Sequence, residues 1–282
     1  MTVIARARSL VAAGETVAIV RVSRVWGSAP REEGATMLVS ARGTSGSIGG
    51  GTLEWKALAE AQRMLARGPS RAVTRHALGP DLGQCCGGQV ELATSVYDAS
   101  NLATLEEHLA APRQLYLFGA GHVGRALVFT LSQTDVAVTW IDPRPNAFPS
   151  VVPGNVTMLE SDDAAQILAA APQGSLVYVM THSHALDLVI VDASLRQPAI
   201  AATALIGSAT KRARFEKRLR EANIDAEQVA SLICPIGIGG IASKKPEAIA
   251  ISAAAQILAV DERLKREEAS SPLVMSTRQA RA

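Results

Sequence analysis

Apolar and polar positions alternate along the first hundred residues in short runs. Thr16 to Val25 reads as a strand, and Gly34 to Ser40 reads as a second one after the turn Gly27-Ser-Ala-Pro30. Helical periodicity appears at Leu53, Ala57, Leu58, Ala61 and Leu65, which predicts one helix from Leu53 to Leu65. An earlier amphipathic helix opens the chain, where Arg6 and Arg8 interrupt the apolar positions. Thr44 to Gly51 is too glycine-rich for either regular state. Strands at Arg71 to Leu78 and Gln89 to Val96 complete a small α+β domain over residues 1–100.

A helix from Asn101 to Leu109 and a turn at Pro112 are expected to link the halves over residues 101–113. From Gln114 the pattern becomes strand, then helix, repeatedly. Strands are expected at Leu115 to Phe118, Val136 to Ile141, Leu176 to Met180 and Ala202 to Ile206, with helices at Val123 to Leu131, Ala164 to Ala170 and Leu186 to Arg196. Short apolar strands joined by helical crossovers imply a parallel sheet covered on both faces. The second half, residues 114–266, is therefore expected to be α/β, a Rossmann-like doubly wound domain. A last helix runs from Pro246 to Lys265, and the polar tail over 267–282 is expected to be disordered. No internal repeat interrupts this plan.

Bulk properties narrow the function classes. The 28 basic and 26 acidic residues nearly cancel, so no global field argues for nucleic acid or a membrane surface as the partner. No stretch approaches the roughly 18 apolar residues of a spanning helix. Three cysteines, two of them adjacent, cannot build a disulfide framework, which suits a reducing cytoplasm.

Several glycine- and thiol-bearing strings are candidates for chemistry. Gly119-x-Gly121-x-x-Gly124 follows an apolar strand and opens a helix, the context in which such glycines let backbone approach a pyrophosphate. Asp142 ends the next strand, where it can accept from a ribose hydroxyl; Arg144 can instead contact a phosphate, and His122 lies inside the loop. Gly83-Gln84-Cys85-Cys86-Gly87-Gly88 puts two thiols on a loop; adjacent cysteines chelate one tetrahedral ion poorly, but thiolate suits transition metals and sulfur transfer. Gly46-Ser47-Ile48-Gly49-Gly50-Gly51 leads into a helix and can form an anion nest, with Thr52 as cap and Glu54 in the first turn. His182, His184 and Asp187 follow a parallel strand, at the sheet end where ligands bind, and can hold metal or exchange protons. Lys211 and Arg212 are similarly placed after the next strand and can hold phosphate. Cys234-Pro-Ile-Gly-Ile-Gly-Gly240 presents a third thiol.

Seven of these strings, in order, make the sequence similar to the XdhC/CoxI family of accessory proteins that mature xanthine dehydrogenase and related molybdenum hydroxylases. They are Gly27-Ser-Ala-Pro-Arg31 with Gly34-Ala-Thr-Met-Leu-Val39, Gly46 to Gly51, Leu82 to Gly88, the Gly119 fingerprint, Thr181 to Asp187, Leu205 to Arg212 and Cys234-Pro-Ile-Gly237. The resemblance implies a chaperone that binds the molybdenum cofactor (molybdopterin), helps exchange its terminal oxygen for sulfur, and delivers it to the apo-hydroxylase. It implies a cysteine desulfurase and the apo xanthine dehydrogenase as partners. The guest combines phosphate, flat pterin, dithiolene and metal, which calls for amide nests, hydrogen-bonding loops and thiols together. The working expectation puts Cys85 or Cys86 near molybdenum, and the Gly46 to Gly51 loop or the Gly119 to Gly124 loop at the phosphate. A homodimer is expected.

Two other readings remain at this level. An NAD(P)-dependent oxidoreductase would use the fingerprint for its cofactor and His182 or His184 as proton donor. A nucleotide or redox sensor would use the vicinal thiols as a switch.

Overall fold

Side-chain alternation in one central strand organises the first half. In β1 (Val17–Trp26), Ala18, Val20 and Val22 enter one apolar cluster, and Val17 and Ile19 enter another on the opposite face. The computed structural model describes residues 3–79, 87–108 and 112–270. It divides into two units, residues 1–111 and 112–282, and each is described by itself.

The first unit is a five-stranded antiparallel sheet in the order β3-β2-β1-β5-β4, with β2 at Thr36–Ser40, β3 at Gly43–Gly46, β4 at Arg71–Ala77 and β5 at Gln89–Tyr97. Helix α1 (Val3–Ala12) contributes Ala7, Leu10 and Val11 to the cluster on one face. Helix α2 (Gly51–Leu65) lays Leu53, Ala57 and Ala61 of the predicted stripe on the other, with Met64 in addition, while the predicted Leu58 and Leu65 are only partly buried there.

Two sequence expectations fail here for physical reasons. The segment Thr44 to Gly51, expected to be too glycine-rich for regular structure, supplies the last three residues of β3, which pairs with β2 from Met37↔Gly46 to Ser40↔Gly43. Glycine is needed within it, because a Cβ on Gly46, at φ +80°, would overlap the carbonyl oxygen of Thr36. The expected linker helix is instead a 3₁₀ helix over Leu102–His108, anchored by buried Leu105, and Asn101 ties its start to Val96 O and Asp98 N.

The second unit is a five-stranded parallel sheet in the order β10-β9-β6-β7-β8, formed by β6 (Arg113–Phe118), β7 (Val136–Ile141), β8 (Val156–Leu159), β9 (Ser175–Val179) and β10 (Ile200–Leu205). Alternation again builds two cores. Leu115, Leu117, Leu176 and Tyr178 face α3 (His122–Thr130) and α8 (Pro246–Ser270); Tyr116, Phe118, Val177 and Val179 face α4 (Ala164–Ala169), α5 (His184–Leu195), α6 (Ala209–Glu221) and α7 (Ala226–Ser231). The expected doubly wound α/β architecture is present, beside a smaller α+β unit.

Helix α8 outruns its sequence expectation. It continues through Glu267 to Ser270, where a polar tail was expected, because Arg113 donates to Asp261 (2.8 Å) and to Glu268 (3.0 Å) while also reaching Gly174 O. Residues 271–282 lie outside the description. No described helix is long and apolar enough to cross a membrane.

Candidate functional site

In the first unit three glycine-bearing loops meet at one end of the sheet. The turn after β1 carries Gly27, Ser28, Ala29, Pro30 and Arg31. Ser28 forms an isolated parallel bridge with Gly87, and a Cβ on Gly88 would overlap Ser28 O and stand 2.7 Å from Trp26 O. The same turn abuts the other glycine run, for a Cβ on Gly49 would come within 2.9 Å of Pro30 Cβ. The Gly27 turn, the Gly46 to Gly51 segment and the pair Gly87 and Gly88 are therefore neighbours, a juxtaposition that only pairing of distant strands could show. Gln84, Cys85 and Cys86 lie outside the described residues.

The expected anion nest exists, and its anion is internal. Ser47 Oγ and the Ile48 amide donate to Glu54 Oε1 at 2.5 and 2.9 Å, and Ser47 Oγ accepts from the Gly49 amide. Burial pushes the Glu54 carboxyl up, but the Ser47 hydroxyl and the amides of Ile48, Gly50 and Gly49 together hold it below its ordinary value. Thr52 is not the cap that the sequence suggested. Gly50 occupies that place at φ 74° with no side-chain bond, so α2 begins earlier than its first apolar residue. Gly50 and Gly51 both have positive φ with open space on the Cβ side, which leaves bare backbone for a ligand to approach.

In the second unit the chain leaves β6 for one side of the sheet and β9 for the other, so the loops after these neighbouring strands flank the topological switch point. They touch: a Cβ on Gly119 would overlap Met180 O. The fingerprint loop is held from below by Trp140, whose indole Nε1 donates to Gly119 O at 3.0 Å and whose ring meets Phe148 edge to face. Gly121 faces open space and caps α3 without a side-chain bond, leaving the first amides of α3 for a ligand. His122 is exposed at the start of α3.

Asp142 has a different task from the one its position suggests. Its side chain is fully buried. Oδ2 accepts from the Ala120 amide (2.7 Å) and Arg144 Nη2 (2.8 Å), and Oδ1 accepts from the Arg144 amide (3.0 Å) and Arg144 Nε (2.9 Å). Four donors fill the roughly four lone-pair sites of a carboxylate, so no acceptor is left for a ribose hydroxyl. Burial pushes this carboxyl up; the Arg144 guanidinium and the two amides outweigh it and bring the pKa down to about 2. A depressed carboxyl stabilises the fold fully above its unfolded pKa, and that contribution is lost as pH falls through the folded value. Asp142→Asn should therefore lower stability at pH 7. The gap from the wild type should shrink by about 2 kcal/mol between about pH 5 and pH 2, as measured by urea unfolding. A gap independent of pH would show that the carboxylate charge is not what holds the loop.

The other loops at this end of the sheet are committed differently from expectation. Asp187 does not join His182 and His184 as a metal ligand. It is buried, accepts from the Thr181 amide and hydroxyl, and pairs with Lys211 Nζ at 2.6 Å. Lys211 also donates to Ile206 O, and Arg212 donates to Glu216 and to Cys234 O, so the basic pair expected to hold phosphate is engaged internally. His182 and His184 are exposed. His184 lines a groove of about 520 Å³ with Arg214, Lys217 and Arg218. Cys234 is buried; burial pushes its thiol up against the opposing pull of Lys211 and Arg212, which makes it a poor nucleophile. Among the described residues no group of three or more His, Cys, Asp or Glu side chains is arranged to hold a metal ion.

Comparison with known proteins follows the same division. Residues 10–76 match the model of the XdhC and CoxI family, and residues 115–257 match that of the XdhC Rossmann domain. Escherichia coli YqeB, described as uncharacterized, is 35% identical over 240 residues, covering 83% of this chain and 41% of its own length. The chain thus spans 41% of that relative. A solved structure from Bacillus halodurans, described as a xanthine dehydrogenase, superposes with a TM-score of 0.75 at 21% identity, over 98% of this chain and 99% of the other. That likeness establishes a shared fold.

Proposed function

The chain belongs to the XdhC/CoxI family, and from that premise we propose that it matures xanthine dehydrogenase or a related molybdenum hydroxylase by binding, shielding and handing over the molybdenum cofactor. The observation that carries this reading is the meeting of three loops in the first unit: the Gly27 to Arg31 turn, the Gly46 to Gly51 segment, and Gly87 and Gly88. Among these glycines Gly50, Gly51 and Gly87 have open space on the Cβ side, and Gly87 directly follows Cys85 and Cys86 in the sequence. Thiolate is a fitting ligand for molybdenum. Flat pterin needs backbone and side-chain hydrogen bonds without crowding, which Gly50 and Gly51 allow.

In this reading the guest is cargo and the chain needs no turnover of its own. Sulfur for the exchange of the terminal oxygen comes from a cysteine desulfurase, and the receiving partner is the apo-hydroxylase. The second unit, taken by itself, offers a place for a phosphate-bearing guest at the Gly119 to Gly124 loop, where α3 starts without a side-chain cap. Hydride transfer with NAD is disfavoured by the saturated carboxylate of Asp142, which removes the usual ribose acceptor. The test is anaerobic isolation followed by assay for molybdenum, pterin and nicotinamide. The proposal expects molybdenum and pterin in equal amounts. Nicotinamide alone would overturn it.

A further inference from the structure

We propose that the mouth of the second unit's sheet reads a phosphomonoester, a terminal dianionic phosphate, through Arg125 and Arg144, and discriminates against a free ribose diol. This deepens the reading in which that crevice takes a phosphate-bearing guest, and it rests on that reading for its location.

The argument begins with a carboxylate that is out of use. In a nicotinamide site the acid after the second strand accepts from the ribose hydroxyls, whereas a nearby arginine accommodates a phosphate there. Asp142 stands at that place with every lone-pair site occupied and no exposed side-chain surface. What the crevice presents instead is the guanidinium of Arg144, whose side chain is 43% exposed and whose Nη1 takes no part in the bonds to Asp142.

A second cation is tied to the same turn, for the Ala147 that it contacts donates its amide to Arg144 O at 3.4 Å. Arg125 donates through Nε to Ala120 O (3.3 Å) and through Nη2 to Ala147 O (2.6 Å), so it clamps the fingerprint loop to the turn after β7. Both partners are neutral carbonyls, and the positive charge of Arg125 is not cancelled by them. Arg125 and Arg144 against Asp142 leave this corner with one net positive charge, next to the free amides at the start of α3. A diol offers such a corner nothing that water does not. A dianionic phosphate gains charge-assisted bonds to guanidinium groups already fixed in place.

One ligand chemistry here has two sources, a phosphorylated pterin and a 2′-phosphorylated nucleotide. Titration calorimetry on the full chain separates them with two matched pairs: 6-hydroxymethylpterin phosphate against 6-hydroxymethylpterin, and NADP⁺ against NAD⁺. The phosphorylated member of at least one pair should bind about tenfold tighter or better, and the pair that shows this identifies the source. Arg144→Gln keeps an amide for Asp142 but removes the charge, and it should abolish the preference. Should that variant fail to fold, Arg125→Gln at an exposed position should reduce the preference in the same assay. No preference in either pair, including no binding at all, overturns the proposal, as does a preference that survives both substitutions. Protein that isolates without pterin yet prefers NADP⁺ would sink the maturation role and leave this assignment standing.

Discussion

Lys211→Met is expected to destabilise the second unit by about 3–5 kcal/mol, because it strands a carboxylate that has no route to water. Asp187 is fully buried, and its two oxygens are divided between Thr181 on one side and the ammonium of Lys211 on the other. These bonds tie the loop after β9 to helix α6, 24 residues later in the chain. In a unit of this size the melting temperature should fall by roughly 6–20 °C in a thermal scan. The double replacement Asp187→Leu with Lys211→Met should recover most of the loss, since a buried pair exchanged for apolar volume is often close to neutral. A single Lys211 variant within about 1 kcal/mol of the wild type would mean that the pair is solvated in solution.

The second large effect belongs to the fingerprint loop. A Cβ at Gly124 would overlap Gly119 O and lie 3.4 Å from the Trp140 indole nitrogen, the two atoms whose bond supports the loop. Gly124→Ala must push α3 away from the sheet, at a cost of about 1–3 kcal/mol or more. Gly121→Ala is the control. Its Cβ would enter open space and its φ is −77°, so the loss should stay within the roughly 1 kcal/mol that alanine costs at a helix N-cap. Equal melting temperatures for the two variants would contradict this packing account.

Legibility from the sequence followed burial. The strand Val136 to Ile141 was readable to the residue, as an apolar run between turn signals, and so was the fingerprint directly after β6. Strand β8 is not legible because it is a four-residue edge strand, too short for its apolar Val156, Met158 and Leu159 to show a period, and those positions are mostly exposed. The start of α2 was read late because it is set by a glycine cap that offers no periodicity. Pairings were the least accessible layer. Asp142 looked like a ribose acceptor because its position directly after β7 is local information, whereas its saturation depends on the rotamer of Arg144 and on Ala120, 22 residues away in the chain. Lys211 and Arg212 looked available for phosphate because the partners that engage them, Asp187 and Cys234 O among them, are distant in sequence. Arg125 directly follows the last glycine of the fingerprint, and a basic residue there was a signal the motif pattern does not include.

The maturation role turns on whether the thiols of Cys85 and Cys86 hold a metal-bearing pterin. Metal analysis of anaerobically isolated protein, run in parallel on the wild type and the Cys85→Ser, Cys86→Ser double variant, measures this directly. The account predicts molybdenum and pterin together in the wild type, with molybdenum sharply reduced in the double variant at an unchanged melting temperature. Molybdenum retained undiminished without the two thiols would contradict it.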